Sequence, residues 1–238
     1  MIQNKRFFIT ILLFIMVQFS YGQKTEINFN VYSGLFSFRG DGAASKSVII
    51  SYPFIPTLRK FTENPYGRGT GFSYAVEFQG QRLSKRKNIY GLGISFEELT
   101  SRVNIDKVGI SGDPANLQYP ASGETKLKNT FVTFNPFVGH RFINHKVTFD
   151  LLAGLDLAFC LKSREDGSAT TSNQGTFTVE NDKTKPSIDF RPRIQIKTEV
   201  NKFGFLAGYS LGLTNYSTQN NLKAYTSFLR LGLSYRLK

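Results

Sequence analysis

The 238-residue sequence contains no tryptophan, one cysteine and two histidines. A single cysteine, Cys160, cannot form an intramolecular disulfide, and we expect it to be a small packed residue rather than a nucleophile. His140 and His145 could form a ligand pair or an acid-base pair, but interface and solvent positions explain them better. The sequence also has no GxSxG elbow, HExxH pair, P-loop or CxxC. It therefore predicts a protein that is not an enzyme and that has no catalytic residues, metal or cofactor, a barrel enzyme being the alternative.

Long apolar runs are also missing beyond the N-terminus. No later segment approaches roughly 18 uninterrupted apolar residues, which excludes a bundle of transmembrane helices. At the N-terminus, Lys5 and Arg6 precede an apolar stretch from Phe7 to Phe19, and small residues follow as far as Gly22. This order predicts a signal peptide over residues 1–22 and one mature domain over residues 23–238. The alternative is an uncleaved anchor, for which the apolar stretch is shorter than the roughly 20 residues that a spanning helix needs.

The mature chain alternates apolar and polar residues with a period of two, which is typical of strands. Phe72, Tyr74 and Val76, for example, alternate with polar or small residues. The fourth segment contains Pro136, which cannot donate to a ladder, so we expect a bulge or an irregular bond there. Eight segments show the pattern: 26–38, 70–83, 88–101, 126–142, 146–161, 187–200, 202–215 and 224–237.

The connections between these segments alternate strictly between long and short. The long ones are 39–69, 102–125, 162–186 and 216–223, and the short ones are 84–87, 143–145 and residue 201. Alternation of this kind, with both chain ends on the short-turn side, is typical of an eight-stranded antiparallel up-and-down transmembrane β-barrel in the outer membrane. A soluble β-sandwich is the alternative fold, although it gives no reason for such regular connections.

Motifs in the second half of the chain support this fold. They are Asn129-Thr-Phe-Val-Thr-Phe-Asn-Pro-Phe-Val-Gly-His-Arg-Phe142, Leu152-Ala-Gly154, Tyr209-Ser-Leu-Gly-Leu-Thr-Asn215 and Leu231-Gly-Leu-Ser-Tyr-Arg-Leu237. Over residues 126–238 the sequence resembles the small PorT-like outer-membrane β-barrels of Bacteroidota. The resemblance implies a fold and an outer-membrane location more than an activity. That family includes a member required for type IX secretion, a role that we do not transfer to this chain.

Charged residues occupy the inward positions of the predicted strands. Counting from strand ends places a set of acids and arginines near one mid-barrel level or beside it: Glu77, Asp156, Arg193, Arg230 and Arg191. A lumen of eight strands is just wide enough to be filled by side chains, and opposite charges facing each other there form charge-assisted hydrogen bonds. We therefore predict an interior plugged by a lumen charge network. The alternative is a narrow ion or small-solute channel.

The loop 39–69 contains an apolar stretch that a solvated loop does not need. Exposed apolar patches mark partner surfaces, so the stretch is a candidate partner-binding loop. The loop could instead extend the hairpin above the membrane or fold down to cap the barrel. The apolar residues are Ile49, Ile50, Tyr52, Phe54 and Ile55.

The remaining charge is positive. Removing Lys5 and Arg6 with the signal lowers the net charge from +13 to +11. For an exported protein this balance favours outer-membrane lipid and lipopolysaccharide phosphates over nucleic acid, an ordinary solvated rim being the plainer alternative. Other outer-membrane or periplasmic proteins are further candidate partners. The sequence thus predicts a structural or interaction protein, such as a subunit of a surface or secretion assembly.

Overall fold

A computed structural model describes residues 24–52, 59–111, 117–183, 186–217 and 221–238. The predicted signal peptide lies outside these residues. Within the described part of the chain no helix has the length and apolar character needed to cross a membrane. The structure confirms the expected all-β class. Its strands are β1 Lys24–Arg39, β2 Lys46–Tyr52, β3 Arg59–Thr62, β4 Gly69–Leu83, β5 Asn88–Ile110, β6 Gln118–Asn144, β7 Val147–Thr171, β8 Gly175–Asp182, β9 Ile188–Val200, β10 Phe203–Leu211 and β11 Tyr225–Arg236.

Eight of these strands form one closed cycle of antiparallel pairings, which we call the ring. From β1 the cycle passes through β4, β5, β6 and β7, continues through β9, β10 and β11, and returns to β1. Each of the eight segments predicted from the sequence coincides with one strand of the ring. The closing pair joins the two ends of the described chain, with Phe29 opposite Tyr235.

Three tight turns define one end of the ring, which we call the short-turn end. They connect β4 to β5, β6 to β7 and β9 to β10. Each contains a residue in the left-handed region: Lys87 at φ 65°, His145 at φ 53° and Asn201 at φ 57°. Such a residue lets two antiparallel strands reverse direction within very few residues, which fixes the strand register. The predicted short connections therefore lie together at this end.

The opposite end continues into a second β structure. β5, β6 and β7 have 23, 27 and 25 residues and run well beyond the ring. β2 pairs with β5 in parallel and with β3 in antiparallel orientation, while β8 pairs with β7. We call this region the extension; it comprises β2, β3, β8 and the outer parts of β5 to β7. Much of the three connections predicted as loops 39–69, 102–125 and 162–186 is therefore strand.

Side-chain polarity reverses between the ring and the extension. In the ring the apolar residues face outward and the polar ones inward: Val76 is 40% exposed, whereas Glu77 beside it is 1% exposed. In the extension Val103 is buried and its neighbour Arg102 is exposed. A register shift at Thr130/Phe131 lies at this boundary and leaves Leu161 as an extra residue of β7. The bulge is therefore not at Pro136, where the ladder with β7 is interrupted but resumes in the same register.

Candidate functional site

The five charged residues predicted for the lumen meet inside the ring. Arg193 donates through Nη1 to Glu77 Oε1 at 3.1 Å, and the same Nη1 lies 3.4 Å from Asp156 Oδ1. Arg230 donates to the other oxygen of Asp156 at 3.0 Å. All four side chains are almost completely buried. One carboxylate, Asp156, thus joins two guanidinium groups at the centre of the ring.

The chain of charges continues toward the extension through Glu97. Arg230 Nη1 lies 3.6 Å from Glu97 Oε1, and Arg191 donates to Glu97 Oε2 at 2.6 Å. Arg191 is fully buried and also donates to the Thr133 hydroxyl at 3.2 Å. We call the six charged side chains the ion-pair network: Glu77, Asp156, Arg193, Arg230, Glu97 and Arg191.

Neutral groups complete the network at mid-height. Arg193 donates through Nη2 to the Tyr32 hydroxyl at 2.9 Å, and Tyr32 in turn hydrogen-bonds Glu77. Asn30 donates to Glu77 Oε2 at 2.9 Å. The neighbouring strand β5 has no room for a side chain here: a Cβ atom at Gly93 would lie 2.6 Å from Glu77 Oε1. Glycine at this inward position gives the carboxylate its space.

A second charged cluster fills the lumen at the short-turn end. Arg141 donates two hydrogen bonds to Glu26, at 2.9 and 2.8 Å, and two more to Asp150, at 2.6 and 2.7 Å. Lys197 lies 2.8 Å from Glu199 Oε2. The lumen residues predicted from the sequence did not include Glu26 and Arg141. Both residues occupy inward-facing positions in the alternation of their strands, so the alternating pattern could have identified them.

An aromatic cluster closes the lumen at the extension end; we call it the aromatic roof. Its members come from distant parts of the chain and meet mostly edge to face. Phe38 lies at its centre, with ring centroids 5.2 Å from both Tyr66 and Tyr216 and 5.4 Å from Phe36. The roof consists of Phe36, Phe38, Tyr66, Phe131, Tyr216 and Phe228.

The roof and the ion-pair network are in direct contact. The Arg191 guanidinium lies 5.1 Å from the Phe131 ring centroid, and that of Arg230 lies 4.5 Å from Phe228, within the range of cation-π attraction. Burial raises the pKa of Tyr216, whose neutral hydroxyl donates to Asp189 Oδ2 at 3.3 Å. The roof therefore combines an apolar seal with a layer of ion-paired charges beneath it.

A small cavity remains in the lumen between the ion-pair network and the short-turn end. Its volume is about 10 Å³, and its lining includes Gln79, Asn135 and Arg193. A cavity of this size holds about one water molecule. The side chains thus fill this part of the lumen nearly completely.

The predicted partner-binding loop has a different position from the one expected of an exposed patch. Ile49 is completely buried and packs in the core of the extension with Val103 and Phe177. Ile50 and Tyr52 are half-buried, and Tyr52 stacks on Phe61 at 6.0 Å. Ile49 therefore cannot contact a partner, because it forms the interior of a hairpin that extends the structure. Phe54 and Ile55 lie outside the described residues.

The other residues considered for chemistry lie apart from one another. His140 Nδ1 is 2.9 Å from Asn88 Oδ1, and His145 lies in an exposed turn. Cys160 is buried at the roof. Among the described residues no three histidine, cysteine or acidic side chains are grouped as a metal site requires. The chemistry of the interior is thus ion pairing and hydrogen bonding.

No protein-family model and no curated protein matches the sequence. Among solved structures the chain is similar to Neisserial surface protein A (NspA), with 10% identity, a TM-score of 0.40, and coverage of 90% of this chain and 98% of that one. It is also similar to Ail of Yersinia pestis, solved with the heparin analogue sucrose octasulfate, with 14% identity, a TM-score of 0.34, and coverage of 90% and 99%. A third is the translocator domain of the autotransporter NalP from Neisseria meningitidis, with 10% identity, a TM-score of 0.30, and coverage of 98% and 94%.

Proposed function

We propose that the ring is an eight-stranded β-barrel inserted in the outer membrane, and that the protein is a non-enzymatic structural or interaction protein. One observation carries the proposal: apolar side chains project outward from every strand of the ring. Phe72 is 74% exposed, Phe205 71% and Ile194 63%. Monomeric soluble proteins rarely expose so large a continuous apolar surface, whereas a barrel needs it to face lipid.

We call the outward-facing apolar side chains of the ring the apolar band. Its height also fits a membrane. A tilted transmembrane strand needs about 9–11 residues, so more than half of the 27-residue β6 lies beyond the lipid. The outward side chains become charged where the extension begins, as at Arg102 and Lys126. The extension then stands in water on the outer face as a folded platform, which supports a role in contact with other molecules. The motifs given above place the chain, in this proposal, with the PorT-like barrels.

The filled interior favours a closed barrel and argues against the alternative of a channel. Each guanidinium group of the ion-pair network contacts at least one carboxylate, and the aromatic roof covers the network. An ion crossing the lumen would have to break these buried pairs, and separating a buried pair leaves an uncompensated charge at a cost of about 3–5 kcal/mol. The same ion pairs join five strands of the ring across the lumen, namely β4, β5, β7, β9 and β11.

Conductance across a planar lipid bilayer tests the closed barrel. The protein should require detergent for extraction, shift its gel mobility on heating, and give no steady current after insertion. Arg193→Gln serves as the comparison, because it removes one charge of the network and leaves a neutral side chain that can still form hydrogen bonds. Steady currents in the native protein that disappear in Arg193→Gln would show a channel and overturn the closed barrel.

A further inference from the structure

The short-turn end carries surface charge of one sign. We define the short-turn rim as residues 24–25, 82–87, 142–146, 201–203 and 235–238. None of these ranges contains an aspartate or a glutamate. Arg236 is half-buried and reaches inward, to Glu26 Oε1 at 3.1 Å. The exposed basic residues of the rim are Lys24, Arg82, Lys85, Arg86, Lys87, Lys146, Lys202 and Lys238.

The surface of the extension is arranged differently, because most of its cations stand beside an acid. Arg102 lies 3.4 Å and Lys126 3.7 Å from Glu124, while Lys128 lies 3.5 Å from Asp166. At the ends of the described chain, Lys24 and Arg236 pair with Glu26 at 3.3 and 3.1 Å. The cations on the turns of the rim, at positions 85–87, 146 and 202, form no ion pair within the described residues, because the nearest acids, Glu26 and Glu199, are buried in the lumen. The turns of the rim therefore carry an excess of positive charge that the fold itself does not neutralise.

Geometry holds these cations close together. A ring of eight tilted strands spaced about 4.8 Å apart is roughly 16 Å across. Neighbouring rim cations thus lie within about one Debye length, near 8–10 Å, and repel one another. Lys146 and Lys202 stand on turns held by the left-handed residues His145 and Asn201, so their backbone cannot spread apart. An anionic surface of matching size relieves this repulsion with little loss of backbone entropy.

The rim lies next to the apolar band. Phe142, Phe203 and Tyr235 are exposed within the rim itself, and aromatic residues favour the boundary between lipid and water. When the barrel is inserted, lipid phosphates occupy this depth at high local concentration. An acidic polypeptide would have to reach the same cations from solution. Charge and depth together therefore favour lipid headgroups.

We propose that the short-turn rim binds the phosphodiester headgroups of anionic phospholipids in the leaflet around the short-turn end. The inference rests on the membrane insertion proposed above. Each cation near an anionic membrane surface adds an electrostatic attraction that salt weakens. The cations of the rim therefore form the site together, and no single residue forms it alone. The bound class is defined by a phosphodiester headgroup of net negative charge and by an acyl chain that enters the apolar band.

Native mass spectrometry of the intact protein in non-ionic detergent tests the proposal, with phosphatidylglycerol titrated against phosphatidylcholine. We expect retention of several phosphatidylglycerol molecules at concentrations where phosphatidylcholine is lost. The rim variant combines Lys85→Gln, Arg86→Gln, Lys146→Gln and Lys202→Gln, and should raise the half-saturation concentration about tenfold or more. Raising ammonium acetate from about 0.05 M to about 0.5 M should weaken retention by the native protein.

The matched control removes four cations from the extension through Arg102→Gln, Lys126→Gln, Lys128→Gln and Lys162→Gln. It should bind phosphatidylglycerol like the native protein, and inorganic phosphate should not compete at equal concentration. Equal losses in both variants, or equal retention of both lipids, would overturn the proposal. Displacement of the lipid by a polyglutamate peptide would instead assign the rim to an acidic chain. A protein that fails to insert contradicts the proposed barrel, whereas one that inserts without headgroup preference contradicts only this inference.

Discussion

The ring and the extension share β5, β6 and β7, and side-chain polarity is reversed between the two regions. On β5, Ile94 and Phe96 point outward in the ring, whereas Val103 and Ile105 point inward in the extension. Apolar and polar residues still alternate with a period of two, but the apolar residues move from outward-facing to inward-facing positions. In the proposed barrel the apolar face follows the surrounding solvent, with lipid beside the ring and water beside the extension. A single strand can therefore belong to both regions if its apolar residues change once from the outward to the inward face.

The two regions are also stabilised by different forces. The ring interior depends on directional contacts between buried charges, whereas the extension core depends on burial of apolar area by residues such as Ile49, Val103 and Val179. A buried charge without its partner is costly, while a lost methyl group costs less and more locally. Substitutions in the ring interior should therefore lower the free energy of unfolding more, and affect more of the structure, than substitutions in the extension core.

The largest effect should follow from breaking the ion-pair network. Arg193→Met leaves Glu77 and Asp156 without one of their cations, and we expect a loss of about 3–5 kcal/mol in the free energy of unfolding. Urea denaturation in lipid vesicles measures it. The control Arg164→Met removes an exposed cation of the extension and should cost less than about 1 kcal/mol. Similar losses for both would mean that the lumen charges do not stabilise the ring.

A charge placed on the lipid face should have the next largest effect. Leu231→Arg puts a guanidinium at a 60% exposed position near the middle of β11 and should cost about 2–4 kcal/mol in vesicles. Thr178→Arg places the same side chain on the exposed face of β8, where water solvates it, so stability should be almost unchanged. If both variants insert and unfold alike, the apolar band does not face lipid.

Truncation in the extension core should act locally. Ile49→Ala should destabilise the extension by about 2–4 kcal/mol, because the completely buried side chain leaves a cavity. Limited proteolysis should then cut the extension while the heat-dependent gel mobility of the ring is retained. Ile50→Ala removes the same atoms from a half-buried position one residue away and should have a smaller effect. Loss of the mobility shift in Ile49→Ala would show that the two regions unfold together.

The smallest effect should come from the surface ion pairs of the extension. A double-mutant cycle between Arg102 and Glu124, with Arg102→Gln and Glu124→Gln, should give a coupling below about 1 kcal/mol, because both side chains are partly exposed. The coupling should vanish at about 1 M salt, where the Debye length is near 3 Å. A coupling that survives high salt would place these charges in a drier environment than their exposure indicates.

The sequence predicted the eight strands of the ring because each keeps one phase of alternation long enough to be recognised. The extension was missed for the same reason: after Ser101 the apolar residues move from even to odd positions, so the end of the first phase resembles the end of a strand. β8 has threonine, glutamate and aspartate on its outer face, which resembles a polar loop. The lengths of the predicted connections located the short-turn end correctly.

The interior was more predictable than the surfaces around it. Inward parity placed Glu77, Asp156 and Arg193 together because the narrow lumen leaves such residues few alternative neighbours. The apolar residues of the loop 39–69 could not be assigned in this way, since their burial depends on contacts with β5, far away in the sequence. Ile49 is buried only because β2 pairs with β5 in parallel.

The pairing of β1 with β11 has a consequence for assembly. Because the first strand finds its last neighbour near the end of the chain, the cycle cannot close until almost all of the polypeptide is available. An open sheet would present Asp156 and Arg193 to hydrocarbon before their partners arrive, at a large desolvation penalty. If the ring inserts in the membrane as proposed, partly closed intermediates are therefore unstable in the bilayer. Folding of the ring and its entry into the membrane should be a single cooperative event.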